Sequence, residues 1–396
     1  MEEIIKKRIY LDHAATTPLS ENALSAMLPY FCDKFGNASS LHSFGREGAA
    51  AVTESRAKVA EIIGAKSTEI YFTSGGTESD NWALRGFCDT KDKHIIISAI
   101  EHSAIMETAK ELKKKGITVT VLPVNERGLI EPAALENVID SGVSLVSIIL
   151  ANNEVGTVQP IRQLAEIAHK YKALFHTDAV QAVGNIPVNV RDLGVDILSL
   201  SAHKFYGPKG VGALYVRGGI RPERLISGGH QERTMRGGTT NTSLIVGLAA
   251  ALEEANLHLE ENMRHVSEVR DRFVSGVERE IPQIKLNGDK LSCLPGIANF
   301  SFEFIEGESI LMSLDLAGIA CSSGSACSSG SLEPSHVLLA MGVPIEIAHG
   351  SIRFSFGKHN TKEEADYALD KLKTIIKRLR ALSPLYIELE SERTKV

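Results

Sequence analysis

Val143-Ser144-Leu145-Val146-Ser147-Ile148-Ile149-Leu150-Ala151 is the most apolar run of the chain, and Asn152-Asn153-Glu154-Val155-Gly156 follows it at once. The run falls far short of the roughly 20 residues that span a bilayer, so it reads as a buried strand ending in a polar loop. Strands of this kind recur at Glu69–Thr73, His94–Ser98, Thr118–Leu122, Leu145–Leu150, Leu174–Thr177, Ile197–Ser199 and Gly212–Val216. Helical patterns separate them at Thr77–Phe87, Ala104–Lys115, Pro132–Ile139 and Ile161–Lys170. This alternation predicts an α/β fold with a central, mostly parallel seven-stranded sheet covered on both faces. Such sheets hold ligands at the carboxyl ends of their strands, so the chemistry belongs in the loops that follow them.

Beyond this region the pattern changes. A helical stretch from Leu244 to about Glu280 leads to strands at Ile297–Phe302 and Ile352–Phe356 and helices at Glu308–Ala317 and Thr361–Leu382, a smaller α+β unit. A helical pattern near Glu21–Phe35 is expected to pack on that unit or across the junction, and the last dozen residues read as frayed. The expected division is a large domain over 18–260 and a small domain from 1–17 plus 261–396. The 396 residues carry 43 Lys+Arg against 49 Asp+Glu, a net charge of −6, which offers no basic field to nucleic acid or an anionic membrane. Five cysteines are too few for a disulfide framework and point to a cytoplasmic protein with free thiols. Met1–Arg8 lacks the apolar run of a signal peptide.

Four strand-end loops hold the candidate residues. Ser74-Gly75-Gly76-Thr77-Glu78-Ser79 precedes a helix, so its glycines, hydroxyl and unpaired N–H groups suit a phosphate, although a capped turn would read the same way. Asn152-Asn153-Glu154 could orient a ring substituent or a carboxylate. His176, Asp178 and Gln181 surround the end of a third strand, and Ser201-Ala202-His203-Lys204 follows a fourth. A lysine placed there, rather than Lys209 in the turn Pro208-Lys209-Gly210, suits a Schiff base. Together a phosphate cradle, a strand-end Asp and a strand-end Lys are the pieces that pyridoxal 5'-phosphate needs.

The chain resembles the class V aminotransferase-fold enzymes (fold type I of the pyridoxal phosphate-dependent transferases) and, within them, the cysteine desulfurases of the NifS/IscS type. The resemblance rests on Tyr10-Leu11-Asp12-His13-Ala14-Ala15-Thr16-Thr17-Pro18, Phe72–Asn81, Asn152–Gly156, Asp178-Ala179-Val180-Gln181, Ser201–Lys204 and Ser325-Ala326-Cys327, with Gly75-Gly76 standing where relatives often have Gly-Ala. It implies that Lys204 binds the cofactor covalently, Asp178 pairs with the pyridinium nitrogen and Gln181 donates to the ring oxygen. His102 would stack on the ring and move protons. Gly76, Thr77, Ser201 and His203 would hold the phosphate, joined by Thr239 from the second subunit of a homodimer. Asn153 and Arg353 would bind the carboxylate of L-cysteine, a role that a bidentate guanidinium fits.

Cys327 lies in Cys321-Ser322-Ser323-Gly324-Ser325-Ala326-Cys327-Ser328-Ser329-Gly330-Ser331, too rich in Ser and Gly for a packed element, so an exposed loop is expected. Its thiolate would take the substrate's sulfur as a persulfide, leave alanine, and pass the sulfur to an iron–sulfur scaffold or another acceptor. No resident metal is expected, although Cys327 could transiently ligate an iron–sulfur cluster. A zinc site of Cys321, Cys327 and His336 lacks the usual paired spacing. Cys32, Cys88 and Cys293 read as small buried hydrophobes, and Cys321 as a spectator, a second acceptor or a disulfide partner. The rival readings are a selenocysteine lyase, a cysteine sulfinate desulfinase, a non-catalytic sulfur carrier and a Cys–His hydrolase.

Overall fold

The structure is a computed structural model that describes residues 8–88, 93–323 and 334–393. Seven strands form the main sheet in the spatial order Ile70–Thr73, Gly212–Val216, Ile197–Ser201, Leu174–Asp178, Val143–Ser147, His94–Ser98, Thr118–Leu122. Gly212–Val216 pairs antiparallel with both neighbours, and the other pairs are parallel. Strand side chains alternate between two cores. Ile95, Ile97, Leu145 and Ile197 pack with Trp82 and Leu112, while Ile96, Val146, Phe175 and Leu198 pack with Leu164, Leu248 and Leu252. The expected mostly parallel sheet is therefore present, although the strand read at Leu145–Leu150 lies at Val143–Ser147. Its backbone still donates beyond that point, from Ile148 to His176 and from Leu150 to Asp178.

A second core joins Ile9 and Leu11 to Phe273, Phe300, Phe302, Phe354, Leu372 and Ile376. It surrounds the antiparallel strands Ile284–Asn287, Ile297–Phe302 and Ser351–Ser355. The single helix expected from Leu244 to Glu280 is two, Thr242–Leu257 and Leu259–Glu280, meeting at His258. The first buries Ile245, Leu248 and Leu252 in the sheet core and the second buries Val269, Phe273 and Val277 in the other. One straight helix could not serve both.

Three other expectations are corrected. The pattern at Glu21–Phe35 forms Glu21–Met27 and Pro29–Cys32, broken where Pro29 lacks an N–H. It packs on Thr242–Leu257, where a Cβ on Gly247 would lie 2.4 Å from Met27 Sδ. Ser43–Ile62 is a 20-residue helix that the sequence reading missed, because its buried face is largely Gly45, Gly48, Ala51 and Ser55 rather than large apolar residues. The tail is ordered as the helix Pro384–Arg393, with Tyr386 against Phe304 at 5.9 Å between ring centroids. Among the described residues, no helix is long and apolar enough to cross a membrane.

Candidate functional site

The strand ends of the main sheet converge on one edge. Gly76 opens the helix Gly76–Cys88 directly after the strand Ile70–Thr73. A Cβ there would lie 2.7 Å from Val180 Cγ2, so the glycine that departs from the familiar Gly-Ala pattern is matched to Val180. Ser201 flanks the same turn, and Thr77 is exposed on the helix's first turn. Glu78 fastens the turn by accepting from Ser74 N at 2.8 Å and pairing with Arg236 Nε at 2.9 Å.

Lys204 ends the short turn Ala202–Lys204 after the strand Ile197–Ser201, and Lys209 is exposed. The N-terminal motif encloses this lysine. Thr17 Oγ1 donates to His203 O and accepts from Tyr206 N, at 3.0 and 2.8 Å. Lys204 Nζ donates to Ala14 O and Ala15 O at 2.6 and 2.8 Å, and Gln181 Nε2 also donates to Ala14 O at 2.8 Å. His203 Nδ1 lies 3.2 Å from Thr16 Oγ1. Burial, then the charges of Lys204 and Lys209, lower His203 to about 4, so near neutral pH it is an uncharged donor.

Behind the lysine lies a buried acidic group. Asp178 accepts from Val180 N at 2.9 Å. Burial raises its carboxyl, opposed by His102, the Val180 N–H and Lys204. His102 caps the helix Ser103–Lys114 by accepting Ala104 N–H on Nδ1 at 3.1 Å, which leaves the proton of the neutral ring on Nε2. Burial holds this imidazole below its ordinary range, against the pull of Asp178.

Sequence reasoning missed Asp80 and Glu101. Asp80, His102 and Asp178 present ligand atoms within 4.8 Å of one another. Burial and then the charge of Asp178 push Asp80 well up, and its Oδ1 has no hydrogen-bond partner. Burial raises Glu101 to about 8, although Ser98 and the Ile149 N–H donate to it. Carboxyls this close and this buried cannot all be charged. His102, the Val180 N–H and Lys204 all oppose the rise of Asp178, whereas Ser199 alone opposes the larger rise of Asp80. The signal for Asp80 was its position four residues after Gly76, on the same helix face.

Arg353 comes from the second core. Its guanidinium is nearly inaccessible, donating from Nη1 to Asn153 O and from Nη2 to Asp12 Oδ1, both at 2.9 Å, while Nε is buried without a hydrogen-bond partner. Asn152 is structural, its side chain joining Ile100 O to the amides of Glu154 and Val155. Thr239 is exposed and lines a recess with Thr73, Ser74 and Arg236, apart from Gly76 and Thr77. Cys321 is buried, and burial, then Asp12, push its thiol far up, which disfavours the thiolate form. Cys32 is exposed, against expectation, and Cys293 is half-buried against Arg270 Nη1 at 3.1 Å. Cys327 and the side chain of Cys88 lie outside the described residues.

Residues 9–368 match the family model for class-V aminotransferases. The chain belongs to that family. It is 53% identical over 383 residues to a protein of Dictyoglomus turgidum named cysteine desulfurase IscS, covering 96% of this chain and 97% of that one. Among solved structures, a NifS-like protein superposes with a TM-score of 0.89 at 40% identity, covering 94% of this chain and all of that one. A structure described as SspA in complex with cysteine gives 0.79 at 34% identity, covering 90% of this chain and all of that one. The class-V assignment agrees with the sheet order and with the position of Lys204 at a strand's carboxyl end.

Proposed function

We propose that this class-V family member is a cysteine desulfurase that carries pyridoxal 5'-phosphate on Lys204, converts L-cysteine to L-alanine and passes the sulfur through Cys327 to an iron–sulfur scaffold or another acceptor. The observation that carries the reading is the placement of Lys204 Nζ and Gln181 Nε2 on the Ala14 carbonyl, with Asp178 close enough to feel the lysine's charge and Arg353 paired to Asp12 of the same N-terminal turn. The residues fit the cofactor: a glycine turn at a helix start, with Ser201 and neutral His203 beside it, suits the phosphate, and a charged Asp178 suits a ring cation. The names of the relatives point the same way.

When bound, the cofactor supplies a sink for the electron pair left at the substrate's α-carbon. The chain's own residues do the rest. Arg353 Nε, the buried donor without a partner, and Asn153 take the substrate carboxylate, with Asp12 steadying the guanidinium from its other side. Lys204 Nζ accepts the α-proton, and His102, its own proton on Nε2, lies beside Asp178 to relay protons. The Cys327 thiolate attacks the substrate's sulfur. A sulfur–sulfur bond forms and the carbon–sulfur bond breaks, leaving a persulfide on Cys327 and, once the β-carbon takes up a proton and the α-carbon regains the one lost to Lys204, alanine.

In this reading residues 18–260 hold the cofactor, and 1–17 with 261–396 bring the carboxylate and sulfur groups. The active form is a cytoplasmic homodimer. Leu24, Leu28, Phe31, Phe35, Leu41 and Phe44 are exposed apolar side chains of one stretch of chain, with the Phe35 and Phe44 rings 5.8 Å apart, and they suit a second copy whose Thr239 would complete the phosphate subsite. The test is the absorbance of the purified protein before and after L-cysteine, with alanine and the Cys327 persulfide quantified. A yellow protein that forms both in equal amounts is expected, and Cys327→Ala should keep the absorbance change while losing the persulfide. A colourless protein, or full sulfide release from that variant, would overturn the reading.

A further inference from the structure

The Cys327-bearing segment 324–333 lies outside the described residues, but both flanks are described, and both are tied to the residues that hold the substrate carboxylate. On the N-terminal side Ser322 exchanges two backbone hydrogen bonds with Arg353: Arg353 N to Ser322 O at 2.7 Å and Ser322 N to Arg353 O at 3.2 Å. On the C-terminal side Ser335 Oγ donates to Glu154 Oε2 at 2.5 Å. Glu154 adjoins Asn153, whose carbonyl accepts from Arg353 Nη1. The carboxylate subsite and the two flanks are thus one hydrogen-bonded unit.

Glu154 is built into this unit on every side. Its N–H donates to Asn152 Oδ1 at 2.9 Å and its carbonyl accepts from Asn299 Nδ2 at 3.1 Å, so its backbone is held by the sheet-end turn and by the second core together. Its side chain is 5% exposed. Burial raises the carboxyl to about 7, opposed by the Ser335 hydroxyl and the charge of Arg353. A buried carboxylate costs several kcal/mol unless it is paired. A chain that needed only a cap for the helix His336–Ala340 already has one, since Ser335 Oγ accepts from Val337 N and Leu338 N. Val337, Leu338 and Met341 fix that helix on Ile100, Ile149 and Val155 by apolar packing. The acid therefore adds little to holding the helix, and what it sets is where the preceding chain leaves it.

We propose that Glu154 is a positioning residue for sulfur transfer. By holding Ser335 it fixes the C-terminal departure point of the Cys327-bearing segment relative to Asn153 and Arg353, while the Arg353 backbone fixes the N-terminal one. The proposal rests on the desulfurase reading, in which Cys327 must meet a substrate held by Arg353. Cys327 follows Ser322 by five residues, which confines its Cα to within about 18 Å of that anchor. Ser335, eight residues further on, sets a second limit of about 29 Å, so where Ser335 is held decides where the two limits overlap at the substrate. Glu154 reaches the reaction through Ser335 and touches no reacting atom.

The test uses the full-length holoenzyme with Glu154→Gln, Ser335→Ala and Ser335→Thr. Single-turnover persulfide formation on Cys327, measured by alkylation and mass spectrometry, should slow about 3- to 10-fold in the first two and recover in Ser335→Thr. The KM for L-cysteine and the cysteine-induced absorbance change should stay within about twofold of wild type. In the apoprotein, hydrogen exchange over residues 336–341 should stay near wild type in Glu154→Gln and Ser335→Thr and quicken in Ser335→Ala, which alone removes the helix cap. Wild-type persulfide rates in both Glu154→Gln and Ser335→Ala would overturn the proposal and leave the desulfurase reading standing. A wild-type enzyme that forms no persulfide on Cys327 would remove that reading instead. Variants that lose KM, absorbance response and persulfide rate together would mark Glu154 as a fold residue and likewise overturn the proposal.

Discussion

Around Asp178 the groups come from neighbouring strand ends, each delivered by the local path of the chain: Gly76 and Asp80 on one helix, His102 at the start of the next, Asp178 and Lys204 closing adjacent strands. Around Arg353 they come from far apart. Asp12 and Arg353 pair across 341 positions, and Asn153 reaches the same guanidinium from the sheet. The first region is a rigid sheet edge, where burial sets which acid is charged. The second is a junction between two cores, where hydrogen bonds set which donors remain for a ligand. Under the proposed function the difference separates cofactor handling from substrate handling, and variants on the two sides should fail in different ways.

The largest effect is expected from Asp178→Asn, which replaces the charged partner of a ring cation with a neutral amide. Turnover should fall on the order of 1000-fold, roughly 4 kcal/mol, with weaker cofactor retention measured by absorbance after dialysis. Next comes Arg353→Lys, which cannot form a two-point contact with a carboxylate. KM for L-cysteine should rise about 30- to 100-fold while the cofactor spectrum stays unchanged. If Arg353→Lys instead bleaches the protein, or Asp178→Asn shifts only KM, the separation between the two regions fails.

The smallest effect is on stability. Glu101 is neutral in the folded protein up to about pH 8, whereas unfolded it ionises near 4.5. The folded state therefore binds the proton more tightly, and this group's contribution to stability falls as pH rises from about 4.5 to 8, then levels off. Glu101→Gln carries no such proton in either state. Its urea midpoint should match wild type near pH 5 and exceed it by pH 8, by on the order of 1–3 kcal/mol in unfolding free energy. Equal pH slopes for the two proteins would show that Glu101 is already ionised when folded.

Much of the sheet edge was legible because strand period, glycine turns and strand-end polar residues are local signals. Lys204, Asp178, Gln181, His203 and Gly76 each lie within five residues of the end of an expected strand. The junction was less so. Nothing near Asp12 in sequence announces Arg353, and Asp80 sits inside a helical pattern where an acid usually means a solvated face. The helix Ser43–Ile62 escaped because small residues bury without an apolar stripe, and the break at His258 because two cores, rather than any local breaker, demand it. Thr239 is exposed beside Ser74 and Arg236, and nothing within its own chain marks it as a cofactor ligand.

The turn Asp12–Thr17 has a consequence for biosynthesis. Asp12 pairs with Arg353 and Ala14 N donates to Ser355 Oγ at 2.9 Å, so each is made 341 positions before its partner. Contacts of such long sequence separation slow folding. A nascent chain can therefore shape the sheet while the Arg353 junction is still unmade, and the turn that encloses Lys204 closes only once Arg353 and Ser355 have been synthesised.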